Sequence, residues 1–220
     1  MKSFRQDLQK QLLERKQNAL MRQRRKLFSP QGTEIILDGS HVTSFCSNDY
    51  LGLAGHPDVI QAYHDGLEQF GAGSGASHLV SGHMASHDAL ENELAEFTGR
   101  SRALIFSSGY MANIGVITTL LGMKDAVFED RLNHASLLDG GLFSGAAFKR
   151  FPHLDSDSLD MQLSESDGQR KLIVSDGVFS MDGNQACLPE LIRISEKHDA
   201  ILMLDDAHGF GVLGEEGGGV

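Results

Sequence analysis

The chain has 220 residues, of which 40% are hydrophobic and 22% charged, and this is enough to bury a substantial core. Thirty acidic residues against 19 basic ones give a net charge of −11, which argues against nucleic acid as the main partner. No apolar run reaches about 18 residues and no signal-peptide pattern is present, so we expect a cytoplasmic protein with no membrane partner. Cys46 and Cys187 lack metal-ligand spacing, and we predict that both are buried thiols.

The first 46 residues are predicted to form an N-terminal helix and a small β-hairpin. Residues 2–26 carry apolar positions at helical spacing and nine basic residues against Asp7 and Glu14. This basic segment could bind an anion, although a solvated helix face is the simpler interpretation. The dipeptide Asp38-Gly39 between two short β-prone runs is typical of a two-residue hairpin turn. The apolar residues of the loop 45–53 are expected to be buried anchors.

From residue 57 onward, helical and strand patterns alternate along the chain. The predicted helices span 57–70, 86–98, 110–121, 135–143, 159–164 and 188–198. The predicted strands span 102–106, 126–129, 147–151, 171–175 and 201–204. Alternation with short connections predicts an α/β domain over 47–220, with three layers and a mostly parallel sheet covered by helices on both faces.

Polar residues follow four of these strands directly. In parallel sheets, ligands bind beyond the carboxyl ends of the strands, so we expect these residues to face one cleft. They are Gly109 and Tyr110, His134, Ser180, and Asp205 with His208. Each has an ordinary alternative, such as a helix cap, a turn histidine or a polar loop, but four strands delivering polar groups to one edge favour a site.

The residue types at this edge suit a phosphorylated heteroaromatic ligand. Gly109 begins a helix, where backbone N–H groups and the helix dipole bind anions. A carboxylate such as Asp205 can keep a ring nitrogen protonated, which a pyridoxal 5′-phosphate (PLP) enzyme requires. The Gly209–Gly214 stretch matches a dinucleotide-binding pattern, but no helix follows it. His83 and His87 lack the HExxH context, and no metal is expected.

Five longer motifs identify a resemblance to a known family. They are Ser47-Asn-Asp-Tyr-Leu-Gly-Leu53, Gly73-Ser-Gly-Ala-Ser-His-Leu-Val-Ser-Gly82, Asp130-Arg-Leu-Asn-His-Ala-Ser136, Gly177-Val-Phe-Ser-Met-Asp-Gly183 and Asp205-Asp-Ala-His-Gly209. Together they resemble the α-oxoamine synthases, which are fold-type I PLP enzymes, over nearly the whole chain. The resemblance implies the fold of that class's PLP-binding large domain.

The resemblance also implies roles for individual residues. The cofactor phosphate would lie at Gly109 and Tyr110, with Ser180 as a further cofactor contact. His134 would stack on the ring, Asp205 would pair with the ring nitrogen, and His208 would contact the phenolic oxygen. The catalytic residues would therefore be His134, Asp205 and His208. Arg22, together with His134, would bind the substrate carboxylate.

The activity implied is that of a transferase of biotin biosynthesis, which condenses a pimeloyl thioester with L-alanine and releases carbon dioxide. The thioester carrier could be coenzyme A or an acyl carrier protein, and the family implies a homodimer. Glycine C-acetyltransferase, 5-aminolevulinate synthase and a non-catalytic remnant or dimerisation fragment remain alternatives. The family's Schiff-base lysine has no counterpart, because no lysine follows Lys197. We therefore expect an incomplete large domain without the C-terminal small domain, inactive by itself.

Overall fold

The computed structural model describes residues 2–220 and divides the chain into two compact units. The first unit extends through Phe70 and the second spans Gly71–Val220. This boundary differs from the division into 1–46 and 47–220 expected from the motifs, which stays a prediction.

The first unit begins with helix α1, Lys2–Gln17, which is shorter than expected. The chain turns away at Ala19, whose φ of 55° is left-handed, and the N–H of Leu20 donates to the carbonyl of Arg15 at 2.8 Å. This closing turn is a helix C-terminus, so the prediction of a helix through residue 26 is wrong. Residues beyond this turn, Arg22 among them, are irregular.

The hairpin of the first unit is confirmed. Strands β1, Glu34–Leu37, and β2, Ser40–Thr43, pair in antiparallel fashion around Asp38 and Gly39. The φ angles of these two residues, 50° and 81°, are the left-handed pair that a type I′ turn requires.

The first unit ends with helix α2, Pro57–Phe70, as predicted. The apolar side chains of the loop 45–53 are not the buried anchors we expected, since Phe45 is 94% exposed and Leu51 is 58% exposed. Helix α2 does not provide a buried core for this loop, because none of the residues of α2 is buried.

The second unit contains five α-helices and four strands that largely match the predicted elements. The helices are α3 Ala85–Phe97, α4 Gly109–Leu120, α5 Ala135–Phe143, α6 Ser156–Ser164 and α7 Leu188–Lys197. The strands are β3 Ala126–Asp130, β4 Ala147–Phe151, β5 Lys171–Asp176 and β6 Ile201–Asp205. Helix α3 starts one residue earlier than predicted, with Met84 as its N-cap residue, whose N–H donates to the His87 ring at 3.0 Å.

The four strands form a parallel sheet in the order β4-β3-β5-β6. One face packs against α4 and α5 through a core that includes Ile117, Leu137 and Val174. The other face packs against α6 and α7 through a core that includes Phe128 and Ile194. Helices on both faces make the three layers predicted from the alternating pattern.

The strand predicted at residues 102–106 is wrong. The segment carries β-prone residues, but it pairs with no strand within residues 2–220, and Leu104 is 79% exposed. The N–H of Ile105 donates instead to the Glu91 carboxylate at 3.1 Å. β-propensity reflects packing on a sheet, so a run without a neighbouring strand forms no ladder.

Two further observations concern the expected environment of the chain. Cys46 and Cys187 are both exposed, so the prediction of buried thiols is wrong. Both lie in loops, and neither belongs to the two apolar cores that pack against the sheet. Within residues 2–220, no helix combines the length and the apolar character needed to cross a bilayer.

Candidate active site

A pocket of about 140 Å³ opens at the carboxyl ends of β5 and β6, beside the N-termini of α4 and α5. Its lining residues are Gly109, Tyr110, His134, Ser136, Asp176, Ser180, Asp205, Ala207 and His208. The pocket therefore collects the six residues that the motifs placed at one edge of the sheet. Three more residues, Ser136, Asp176 and Ala207, complete the lining.

Asp205 is the last residue of β6, and the apolar strand before it delivers its carboxylate to the pocket. Oδ2 accepts a hydrogen bond of 2.7 Å from Nδ2 of Asn113, and Oδ1 accepts one of 3.1 Å from the N–H of Ala207. Donors on both oxygens fix the orientation of the carboxylate in the pocket. Asp205 can thus present a negative charge to a cationic group of a ligand.

A second carboxyl, Asp176, ends the neighbouring strand β5 beside Asp205. Burial raises the pKa of Asp176 to about 6, and the negative charge of Asp205 adds to this shift. One of its oxygens accepts the backbone N–H of His134 at 2.8 Å. The sequence reasoning missed Asp176, although β5 and β6 end alike, in an acid after an apolar run.

His134 is the N-cap of α5, and its ring is fixed from one side. Its Nδ1 lies 2.7 Å from the hydroxyl of Ser136 and 3.3 Å from the backbone nitrogen of the same residue. Together with the bond from its own N–H to Asp176, these contacts hold the residue at the pocket wall. An imidazole so placed can pack on a planar ligand and donate or accept one hydrogen bond.

The N-terminus of α4 supplies the groups suited to an anion. The hydroxyl of Ser108 caps the helix by accepting the N–H of Met111 at 3.2 Å. The N–H groups of Gly109 and Tyr110 also belong to the first turn, so neither has an acceptor inside the helix. A Cβ built on Gly109 would meet no atom within 4 Å, which leaves the space above this turn open.

Tyr110 is turned toward the neighbouring helix. Its hydroxyl donates a short hydrogen bond to the Asp139 carboxylate of α5. This bond raises the pKa of Tyr110 above its usual value, because it stabilises the neutral phenol. The contact joins the two helices whose N-termini flank the pocket.

The remaining predicted residues divide between the two units. Ser180 and His208 line the pocket, as the motifs predicted. Arg22 belongs to the first unit, where it lies in the irregular segment after α1. Its role at a substrate carboxylate stays a prediction.

The polar groups that line the pocket fit a phosphorylated pyridine. A helix N-terminus with an open first turn suits a phosphate, an ionised aspartate suits a protonated ring nitrogen, and a histidine suits the flat face of a ring. No lysine is among the residues that line the pocket. Within residues 2–220, no group of three or more His, Cys, Asp or Glu side chains is arranged to hold a metal ion.

The fold and this pocket are those of a PLP-binding α/β protein, and comparison with known families agrees with this class. The family model described as "Aminotransferase class I and II" matches residues 40–218, and the chain belongs to this family. Among curated proteins, it is 61% identical over 208 residues to 8-amino-7-oxononanoate synthase of Cellvibrio japonicus, and 60% identical to that of Methylococcus capsulatus. These alignments cover 94% of this chain but 52% and 54% of the relatives, so the chain spans about half of their length.

Solved structures confirm the fold. Serine palmitoyltransferase of Sphingomonas wittichii matches with a TM-score of 0.89 and 35% identity, over 94% of this chain and 54% of that one. Serine palmitoyltransferase of S. paucimobilis, solved with a bound PLP–myriocin aldimine, matches with a TM-score of 0.90 and 33% identity, over 97% and 57%. The α/β large domain of fold-type I PLP enzymes, expected from the motifs, is therefore confirmed.

Proposed function

We propose that this chain forms the cofactor-binding part of a PLP-dependent acyltransferase that condenses a pimeloyl thioester with L-alanine. The product would be 8-amino-7-oxononanoate, formed with release of carbon dioxide on the route to biotin. The observation that carries the proposal is that the open first turn of α4 and the Asp205 carboxylate line one pocket. The names of the most similar curated relatives support the choice of reaction.

PLP, when bound, supplies a cationic ring that withdraws electrons from a substrate carbon. The chain's part is to keep that ring protonated and in place. Asp205, held in position by Asn113 and Ala207, would pair with the ring nitrogen. The N–H groups of Gly109 and Tyr110 would bind the phosphate.

The other predicted residues would bind further parts of the cofactor and the substrate. His134 would cover the ring face and donate to the substrate carboxylate, while His208 and Ser180 would contact polar atoms of the cofactor. Arg22 would bind the carboxylate of the amino acid, a task for which a guanidinium is suited by its paired donors. The catalytic set proposed is therefore His134, Asp205 and His208.

We also propose that the 220 residues alone bind the cofactor without catalysing the condensation. The residues lining the pocket include no lysine amine that could bond to the cofactor or take a proton from the amino acid. An assay of the purified chain with PLP, L-alanine and pimeloyl-coenzyme A should then yield no 8-amino-7-oxononanoate. Turnover by this chain alone would contradict the proposal.

The cytoplasmic location and the homodimeric state of the whole protein belong to the same proposal. The acidic composition, with its net charge of −11, supports a location away from nucleic acid and anionic membranes. Sedimentation of the chain at several concentrations would test whether it self-associates, and fractionation of cells would test its location.

L-Serine is a second candidate for the amino acid, because the similar solved structures include serine palmitoyltransferases. Their identity of 33–35% is well below the 60–61% shared with the 8-amino-7-oxononanoate synthases. Adding L-alanine, glycine or L-serine to the PLP-loaded chain should change the cofactor absorption at the lowest concentration for L-alanine.

The direct test is titration of the chain with PLP, followed by cofactor absorption and equilibrium dialysis. We expect saturable binding by the natural sequence and roughly tenfold weaker binding by Asp205→Ala, the loss of one ion pair. Asp157→Ala removes an exposed carboxylate at the start of α6 and is the matched control. Absence of PLP binding, or equal binding by Asp205→Ala, would overturn the cofactor assignment.

A further inference from the structure

Four side chains form a continuous hydrogen-bonded chain across the pocket floor. Nδ2 of Asn113 donates to Asp205 Oδ2 at 2.7 Å and to the Ser136 hydroxyl at 2.9 Å. The Ser136 hydroxyl lies 2.7 Å from Nδ1 of His134. Asn113 and Ser136 are nearly inaccessible, at 7% and 1% exposure, so the bond between them is shielded from bulk water, while the bonds to Asp205 and His134 are part-buried.

The direction of each bond follows from the groups involved. An amide nitrogen only donates, so both hydrogens of Asn113 are used, one by the Asp205 carboxylate and one by Ser136. The Ser136 hydroxyl therefore accepts from Asn113 and keeps its own hydrogen for His134. A carboxylate cannot donate, which also fixes the orientation of the Asn113 amide.

The backbone of Ser136 acts on the same ring nitrogen as its hydroxyl, through a longer bond. Its N–H points at Nδ1 of His134 at 3.3 Å, and an N–H cannot share a bond with a protonated Nδ1. Nδ1 is then the acceptor for both donors of Ser136. The hydrogen of the neutral ring resides on Nε2.

We propose that Asn113, acting through Ser136, is a positioning residue that holds His134 in the Nε2–H tautomer while it holds the Asp205 carboxylate. One buried amide thereby orients two groups at once, the carboxylate offered to the cofactor ring and the donor offered to the substrate. The proposal rests on the proposed function for its purpose, but the tautomer itself is a property of the chain without cofactor. Sequence reasoning missed Asn113, since an asparagine in the middle of a helix carries no motif.

The test is nuclear magnetic resonance of the 220-residue chain labelled with ¹⁵N in its histidines, without cofactor. His134→Gln identifies the signals of His134. We expect a pyrrole-type Nε2 and a pyridine-type Nδ1 in the natural sequence. In Ser136→Ala, and in Asn113→Ala, the ratio of the two tautomers should shift toward Nδ1–H by about fivefold, the value of one hydrogen bond.

The control is Asn92→Ala, which removes a comparable bond from an amide to the Asp88 carboxylate on an exposed face of α3. This variant should leave the His134 signals unchanged. If Asn113→Ala fails to fold, Asn113→Ser, a small polar side chain without the amide, takes its place, and Ser136→Ala tests the link from Ser136 to His134. A protonated Nδ1 in the natural sequence, or unchanged tautomers in Ser136→Ala, would overturn the proposal.

A second measurement separates this inference from the cofactor assignment. Asn113→Ala should weaken PLP binding several-fold, while Ser136→Ala, which leaves the bond to Asp205 in place, should weaken it less. If the natural chain binds no PLP but shows the Nε2–H tautomer, the proposed function fails and the positioning role stands. If PLP binds and the tautomer is absent, the positioning role fails alone.

Discussion

Asp176 and Asp205 are register partners at the carboxyl ends of the adjacent parallel strands β5 and β6. Of the two carboxyls, Asp205 accepts a hydrogen bond from the side-chain amide of Asn113 in α4. The other is buried, at 6% exposure, and its pKa is raised to about 6 by that burial. The pair therefore divides into a carboxylate oriented by a side-chain amide and a buried neighbour whose pKa is raised.

The raised pKa of Asp176 predicts a specific dependence of stability on pH. Since the folded state holds this proton more tightly than the unfolded chain, whose pKa is near 3.8, the stabilisation is full below about pH 3.8 and is lost as the pH rises through about 6. Relative to Asp176→Asn, the free energy of unfolding of the natural chain should fall by up to about 3 kcal/mol across this window. Urea unfolding at several pH values measures this difference. Parallel pH profiles for the two proteins would contradict the prediction.

Glu129, which is not among the residues that line the pocket, provides a second pH-dependent contribution. Its carboxyl is fully buried on β3, and neither oxygen makes a hydrogen bond of normal length within residues 2–220. Burial raises the pKa of Glu129 to about 7. Ionisation of this group therefore opposes folding once the pH exceeds its unfolded value near 4.5.

We expect Glu129→Gln to be more stable than the natural chain at pH 8, with a difference of up to about 3 kcal/mol that develops between about pH 4.5 and 7. Glu165→Gln, at an exposed position after α6, is the matched control and should show no such window. Thermal unfolding at pH 4.5 and pH 8 measures this difference in stability for both variants. An equal effect of both substitutions would show that the burial of Glu129 is not the cause.

Substitutions at two glycines, Gly141 and Gly109, test the packing of the fold and the binding of the cofactor separately. A Cβ on Gly141 would lie 2.5 Å from Oε1 of Glu129 and 2.6 Å from the Phe148 ring. Gly141→Ala should therefore destabilise the chain by about 1–3 kcal/mol, the usual cost of overpacking. A Cβ on Gly109 would meet no atom, so Gly109→Ala should change stability by less than about 0.5 kcal/mol.

Gly109→Ala should nevertheless weaken PLP binding by roughly tenfold, because the added methyl group occupies the space over the first turn of α4. Unfolding in urea and titration with PLP, performed on the same preparations, distinguish the two effects. Full PLP affinity in Gly109→Ala would place the phosphate elsewhere.

The hydrogen bond from Tyr110 to Asp139 predicts a shifted titration. The pKa of Tyr110 is raised because ionisation would lose this bond and bring two negative charges together. Ultraviolet titration should show one of the three tyrosines ionising at higher pH than free tyrosine, and Asp139→Asn should lower its midpoint. An unchanged midpoint in Asp139→Asn would contradict the assignment of this bond.

The sequence predicted the sheet and most of the pocket for the same physical reason. Parallel strands end at one edge, so the residues that follow β3, β5 and β6 converge whatever the details of packing. This argument placed His134, Ser180 and Asp205 together without any tertiary information. It placed Gly109 and Tyr110 there as well, although the strand assumed before them is irregular.

The features that the sequence did not reveal depend on partners distant in the chain. Residues 102–106 carry strand-forming residues, yet no ladder forms without a neighbour. The pairing of Asn113 with Asp205 has no local signal either, because the amide lies within a regular helix.

Helix α1 was predicted too long because apolar spacing continues past Ala19, where the backbone turns left-handed.

The bond between Asn113 and Asp205 joins residues 92 positions apart. Contacts of such high sequence separation form only after much of the chain has been ordered, and they slow folding. The cofactor cleft is thus expected to mature in the final phase of refolding, after the early helices have appeared. In a stopped-flow experiment, affinity for PLP should emerge later than the recovery of helical circular dichroism.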